Sequence, residues 1–498
     1  MVILGLIPGA SCKKQLDTNL TNPNGVGINL LHGKDLFAGA LSSTATNKIG
    51  ANLYVTQVVV DNYDFAQQWL GYWSRNTGYA PSGSQGQMEN FNLINSFSNN
   101  IWQTLYHNIY DFNFVIANSS ANSILPGASR VMRAMVFQDL VDIFGNIPYS
   151  QASQPLATIR PSYDDAATIY KSLITQLDSA ITAIKASSST ADDVSDVMFK
   201  GNKVLWVQFA NSLKLRILLR QVPKGDQTYV QTELSKITAE GSGFLPQDAA
   251  VNPGYADAVN QQNPFWAVYG FQPASSTPFQ NYIFFIANNF MLGFLQDSTV
   301  DPRIGYFYTK NANGTYGGNP FGATPALPAA ISSIGTGILK SAAMPAVLLS
   351  GSQILFMQAE AVQRGLLPGS YQTLYKQAVE ASFTYLGVPN AATAADNFIS
   401  TSPSKYANIT GAGAANPLQT ILYQKWVSEC ELDGLEAWSD YRRTGYPNNP
   451  EISYSVGPGV DMPKRLLYPQ TEYDLNNANV MLQNQQATDL NTALFWGR

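Results

Sequence analysis

The stretch GLEAWSDYRRTGYP, residues 434–447, gathers two carboxylates (Glu436, Asp440), two guanidinium groups (Arg442, Arg443) and two large rings (Trp438, Tyr441) ahead of Gly445 and Pro447. A carboxylate pair is the equipment of a glycoside hydrolase, in which one group protonates the leaving oxygen and the other serves as base or nucleophile. The same four-residue spacing places Glu436 and Asp440 on one helix face, where the arginines can pair with them and join neighbouring helices. A second charged motif, STVDPRIGYF, sets Asp301 before Pro302 and Arg303. The aspartate can accept backbone N–H bonds at a turn, because proline fixes the next φ, and Arg303 can pair with it or with a remote carboxylate. That structural reading is preferred to a metal or catalytic one.

Other chemistries lack their residues. The chain has two histidines, His32 and His107, so a histidine-rich metal site is excluded and a nucleophilic triad would have to use one of them. Neither a G-x-S-x-G elbow nor a phosphate-binding or dinucleotide-binding glycine motif is present, and no metal or cofactor is expected. The net charge of −5 and the lack of any basic block argue against nucleic acid. Only 13% of residues are charged, against about 25% in an average soluble domain. Asn, Gln, Ser, Thr and Tyr take their place, a surface that suits neutral, hydroxyl-rich ligands.

Such a ligand needs flat ring faces beside amides and hydroxyls. Residues 61–80, DNYDFAQQWLGYWSRNTGYA, hold many rings, few aliphatics, and Gln67, Gln68, Arg75 and Asn76. The composition predicts partial exposure, and Trp69, Tyr72 and Trp73 are spaced to share one helix face. Residues 263–285 add Trp266, Tyr269 and Phe271 in a loop-like context. The candidate ligand-binding residues are therefore Trp69, Tyr72, Trp73, Arg75, Asn76, Trp266, Tyr269 and Phe271. A buried aromatic stripe or a contact with a partner protein is the competing reading.

Helices must position these groups. In residues 160–187 the apolar positions Ile169, Leu173, Leu177, Ile181 and Ile184 recur at helical spacing behind Asp164 and Asp165. Residues 202–222 are apolar almost all round and predict a buried helix. SQILFMQAEAVQRG and YQTLYKQAVEASFTYLG predict an antiparallel helix pair, with Ala359, Ala361, Ala378 and Ala381 permitting close approach. The fold class is mainly α: tetratricopeptide-like helical hairpins over about 31–222 and 346–445, an irregular aromatic-rich insertion over about 223–345, and a loop-rich tail over 446–498. At the amino terminus, MVILGLIPGASC resembles the end of a bacterial lipoprotein signal, so residues 1–11 read as a signal remnant, Cys12 as the lipidated residue and 12–30 as a polar tether. Cys430 reads as a small buried apolar residue.

SRVMRAMVFQDLVDIFGNIPYSQA, SYDDAATIYKSLITQLDSA, WVQFANSLKLRILLR, STVDPRIGYF, FMQAEAVQRG, EAWSDYRRTGYP and MPKRLLYPQTEYDLNNANV, in that order, resemble the signatures of the SusD/RagB lipoproteins. The resemblance implies four tetratricopeptide-like helix pairs and a lipid-anchored place on the outer face of the outer membrane of Bacteroidetes. It also implies a SusC-like TonB-dependent transporter as partner, capture of glycan or peptide, and no catalysis. It makes the 434–447 cluster a structural signature. The rival functions are a helical glycoside hydrolase, discriminated by two opposed carboxyl groups in a cleft, and a helical-repeat interaction scaffold, discriminated by an unlipidated Cys12.

Overall fold

The computed structural model describes residues 30–49, 63–152, 158–188, 191–297, 300–323, 331–402, 406–410, 416–448, 455–456, 460–484 and 488–498. Cys12, the segment 1–11 and almost all of the tether lie outside them.

Helices dominate. In chain order they are α1 (Gly33–Ile49), α2 (Asp64–Trp69), α3 (Gly83–Glu89), α4 (Asn99–Ala117), α5 (Leu125–Phe144), α6 (Ala166–Ala186), α7 (Lys203–Gln221) and α8 (Gln227–Glu240). After the irregular middle come α9 (Gly351–Gln363), α10 (Tyr371–Leu386), α11 (Ala391–Thr401), α12 (Pro417–Ser428), α13 (Gly434–Thr444), α14 (Gln470–Leu475) and α15 (Asn477–Met481). Consecutive helices pack as neighbours: α4 on α5, α5 on α6, α6 on α7, α9 on α10, and α10 on α11. Short connections join α4 to α5, α9 to α10 and α10 to α11, which favours antiparallel packing in those pairs.

Local sequence explains these elements. Asp165 caps α6 by accepting the Thr168 N–H at 2.8 Å, and the five apolar positions at helical spacing are all buried. Asp164 stands outside that helix and accepts the Tyr149 and Ser150 N–H groups at 3.0 and 2.8 Å. Helix α7 begins at Asn202, whose side chain accepts two backbone N–H groups, and is buried along nearly its whole length. In the α9–α10 pair Ala359, Ala361 and Ala378 are fully buried, while Ala381 is half-buried. Cys430 is buried, with its sulfur 3.6 Å from the Tyr308 hydroxyl.

Between α8 and α9 regular structure is sparse. Strand β1 (Trp73–Arg75) pairs antiparallel with β3 (Phe285–Ala287), Trp73 opposite Ala287 and Arg75 opposite Phe285. Strand β2 (Ala249–Val251) pairs antiparallel with β4 (Ala346–Leu349). Four helical pieces, Trp266–Tyr269, Gln280–Phe284, Asn289–Gln296 and Ile304–Phe307, complete the region among the described residues. The β1–β3 pair ties this irregular segment to the early part of the chain. No described helix is long and apolar enough to cross a membrane.

Candidate ligand-binding site

The carboxylates of α13 do not line a cleft. Glu436 and Asp440 are buried and face Arg220 of α7 and Lys425 of α12. Arg220 lies 2.6 Å from Glu436, 3.4 Å from Asp440 and 3.1 Å from Asp142. The Lys425 ammonium reaches Glu429 at 2.6 Å, Glu436 at 3.0 Å and Asp440 at 2.6 Å. Arg443 joins Asp440 at 2.8 Å and donates to both Glu360 oxygens of α9, one of them at 2.8 Å. Burial alone would raise the Glu436 carboxyl, but Arg220 and then Lys425 hold it well below the usual range. Burial does raise Glu429, which shares one ammonium with two other carboxylates. Glu429, Glu436 and Asp440 are close enough together to hold a cation; the Lys425 ammonium already bonds all three.

Arg442 follows a different course from its neighbour. It donates to the carbonyls of Asp142 at 2.6 Å, Lys464 at 2.9 Å and Trp438 at 3.2 Å, and lies 3.4 Å over the Trp438 ring. With carbonyls in place of a carboxylate partner, burial lowers its pKa to about 9. The motif around Asp301 is also paired internally, and Arg303 reaches beyond it to Gln424 at 2.5 Å and Ser382 at 3.3 Å. Asp301 accepts the Arg303 N–H at 2.9 Å and its guanidinium at 2.6 Å, and Arg303 lies over Phe383 and Phe398.

The ring-rich stretch at 61–80 corrects the expectation of partial exposure. Residues 61 and 62 lie outside the described residues. Helix α2 stops after Trp69, and Gly71, at φ +76°, turns the chain into β1. Trp69, Tyr72 and Trp73 therefore do not share a helix face. All three are essentially inaccessible, at 1%, 0% and 1% exposure. Their polar atoms are satisfied internally: Trp69 donates to the Met88 carbonyl at 3.3 Å, Tyr72 to the Trp426 carbonyl at 2.6 Å, and Trp73 to Glu431 at 2.7 Å. Arg75 is buried in a two-pronged pair with Glu89, at 2.8 and 3.1 Å. Tyr269 is buried too, its hydroxyl bonded to Asp64. Rings so enclosed offer no face to a ligand in this conformation.

Three of the eight candidates reach the surface. Asn76, Trp266 and Phe271 are half-buried. Asn263 opens the turn before Trp266 by accepting the Phe265 and Trp266 N–H groups at 2.9 and 3.2 Å. The Trp266 indole donates to the Phe271 carbonyl at 3.1 Å, with the ring centroids 5.6 Å apart. Tyr282, also half-buried, continues the row with its centroid 5.0 Å from Phe271. Asn76 anchors the neighbouring chain by donating its side-chain amide to the Ile283 carbonyl at 3.1 Å. Beside the rings, Gln272, Ser275, Ser276 and Thr277 are exposed in the tight turn closed by Gln272 and Thr277 at 2.9 Å. The arrangement offers partly bare ring faces next to amides and hydroxyls, which is what a sugar ring requires. Sequence reasoning passed over Tyr282; its place eleven residues after Phe271 gave no periodic signal, because a loop brings the two together.

Packed helical hairpins carrying an irregular, ring-bearing segment define the class of fold. Residues 35–469 match the family model SusD-like, described as starch-binding and associating with outer membrane. The chain belongs to this SusD/RagB family. Among solved structures it is similar to a chitin-binding SusD homologue from Flavobacterium johnsoniae, with a TM-score of 0.74 and 23% identity over 92% of this chain and 98% of that one. A SusD-like protein from Bacteroides thetaiotaomicron gives 0.74 and 23% over 93% and 98%. A SusD homologue from Bacteroides vulgatus gives 0.71 and 21% over 91% and 97%. No curated protein matches the chain.

Proposed function

We propose that this protein is a non-catalytic, cell-surface nutrient-binding lipoprotein that captures glycan and delivers it to a SusC-like TonB-dependent transporter. Peptide is the alternative cargo. The row Trp266–Phe271–Tyr282, partly open beside a turn of Gln272, Ser275, Ser276 and Thr277, carries the reading. The family's described association with the outer membrane and the chitin-binding relative support it. Residues 31–498 would work as one unit, with the helical parts as frame, the 223–345 segment as ligand-bearing insertion and 446–498 as tail. Cys12 would carry the lipid anchor after removal of 1–11, with 12–30 as tether. Burial of the α13 carboxylates and their pairing with Arg220, Lys425 and Arg443 support the non-catalytic reading.

Calorimetric titration with N-acetylchitotetraose, cellotetraose, maltotetraose and a mixed tetrapeptide pool tests the cargo. At least one saccharide is expected to bind, with Trp266→Ala weakening it by about ten-fold. Release of new reducing ends on prolonged incubation would overturn the non-catalytic assignment. Purification from the native outer membrane without any transporter would overturn the partnership.

A further inference from the structure

A second recess lies on other elements. It encloses about 550 Å³ between α4, the chain around Pro148 and Pro161, and α14. That volume falls within the roughly 300–1,000 Å³ typical of small-molecule sites. Trp102 and Tyr106, one turn apart on α4 with centroids 4.9 Å from each other, form part of its wall. Tyr163 stacks beside Trp102 at 6.2 Å and donates to Glu472 Oε2 at 2.8 Å. The Asn476 amide donates to the same oxygen at 3.0 Å, so the Glu472 carboxylate is held in place at the wall.

The polar lining is rich in neutral hydrogen-bonding groups. Gln103 and His107 stand exposed on the α4 side, facing Gln151, Thr158 and Thr471 across the recess. No lysine or arginine lines it, and Glu472 is its sole carboxylate among the described residues. A carboxylate accepts hydroxyl protons strongly and repels anions. Ring and proline surfaces supply contact for C–H groups, and amides with a carboxylate supply partners for hydroxyls. Among the described residues, a phosphate or an acidic sugar finds no lysine or arginine here.

We propose that this recess is a second saccharide site, separate from the Trp266 surface, that takes a neutral sugar of one to a few units and rejects acidic sugars. The half-buried Tyr106 ring, backed by the buried Trp102, lies against the apolar side of the sugar, Gln103, Gln151 and His107 hydrogen-bond its hydroxyls, and Glu472 sets the charge preference. This goes beyond the ring surface and does not depend on it.

The experiment uses the full chain and four variants: Trp266→Ala, Gln103→Trp (which fills the recess from an exposed position), both together, and Glu472→Gln. Glucuronate and the neutral probes cellotetraose, maltotetraose and N-acetylchitotetraose are titrated calorimetrically, with thermal melts confirming that each variant is folded. Trp266→Ala should still bind a neutral probe, and adding Gln103→Trp should weaken that binding by about ten-fold or more. Glu472→Gln, which keeps the shape and can still accept from Tyr163, should admit glucuronate that the parent excludes. Neutral-probe binding lost with Trp266→Ala alone would overturn this site and leave the ring surface standing. Binding lost with Gln103→Trp alone would support this site and count against the ring surface. Equal rejection of glucuronate by parent and Glu472→Gln would overturn the role given to Glu472.

Discussion

The indole of Trp69 meets that of Trp438 edge to face, with ring centroids 5.5 Å apart and planes inclined at 65°. Phe65 closes the group, 4.9 Å from Trp69 and 5.3 Å from Trp438. The stretch that looks like a ligand platform and the stretch that looks like a catalytic centre are thus two sides of one aromatic core. Helix α13 packs on α2 through it. Gly434 permits the close approach, since a Cβ there would stand 2.9 Å from the Gln67 nitrogen.

Trp69→Ala is expected to destabilise by about 3–5 kcal/mol, the usual cost of emptying a buried indole site. Any loss of ligand binding should follow loss of fold. Trp266→Ala, at a half-buried position, should cost about 1 kcal/mol and weaken saccharide binding in a protein that melts normally. Chemical denaturation paired with calorimetry separates the two; a stable Trp69→Ala protein with selectively lost binding would reverse the assignment.

Arg443→Met should lower stability by about 3–5 kcal/mol, because it leaves Glu360 and Asp440 buried with one fewer cation. Burial alone would raise the Glu360 carboxyl, but Arg443 and then Arg364 hold it down at about 2, against an ordinary 4.5. Its folded pKa is depressed, so its contribution is complete above about pH 4.5 and is lost as pH falls towards 2. Melting curves across that window should show steep acid lability, and Glu360→Gln should flatten it. Ligand affinity at neutral pH should not change in folded Arg443→Met.

Glu431 has the opposite sign. It is buried, no cation among the described residues pairs with it, and burial lifts its carboxyl to about 8 against the lowering effect of the Trp73 bond. An unfolded chain releases this proton near the ordinary 4.5, the folded one only near 8. The unfolded state therefore gains on the folded one as pH rises through that interval, and above it the loss is complete. Glu431→Gln keeps an acceptor for the Trp73 indole and removes the titration. Its melting temperature relative to the parent should climb between pH 5 and 8. A constant difference across that range would show that the carboxyl is ionised in the folded state.

If Cys12 carries the anchor, Cys12→Ser protein should leave the membrane fraction. Several acyl chains, at about 0.8 kcal/mol per buried CH₂, hold a chain on a bilayer almost permanently. Mass spectrometry of the native amino terminus checks the acylation directly, and fractionation checks the consequence.

Much of the frame was readable from the chain alone. The period of Ile169, Leu173, Leu177, Ile181 and Ile184 determines which side of α6 is buried, and Asp165 marks where that helix starts, because both signals act within one or two turns. The alanines of α9 and α10, the Asp301–Arg303 turn and the Arg443–Asp440 pair are equally local. The fate of the rings was not readable. Tyr72 donates its hydroxyl hydrogen bond to a carbonyl 354 residues away, and Trp73 donates its indole N–H to a carboxylate 358 residues away. A tryptophan among glutamines has the same composition whether its N–H meets water or a distant acceptor. Trp73 and Trp266 differ because Phe265, Tyr269 and Phe285 pack around one while the loop after residue 270 leaves the other partly bare. That outcome rests on long-range packing, which no spacing along the chain records.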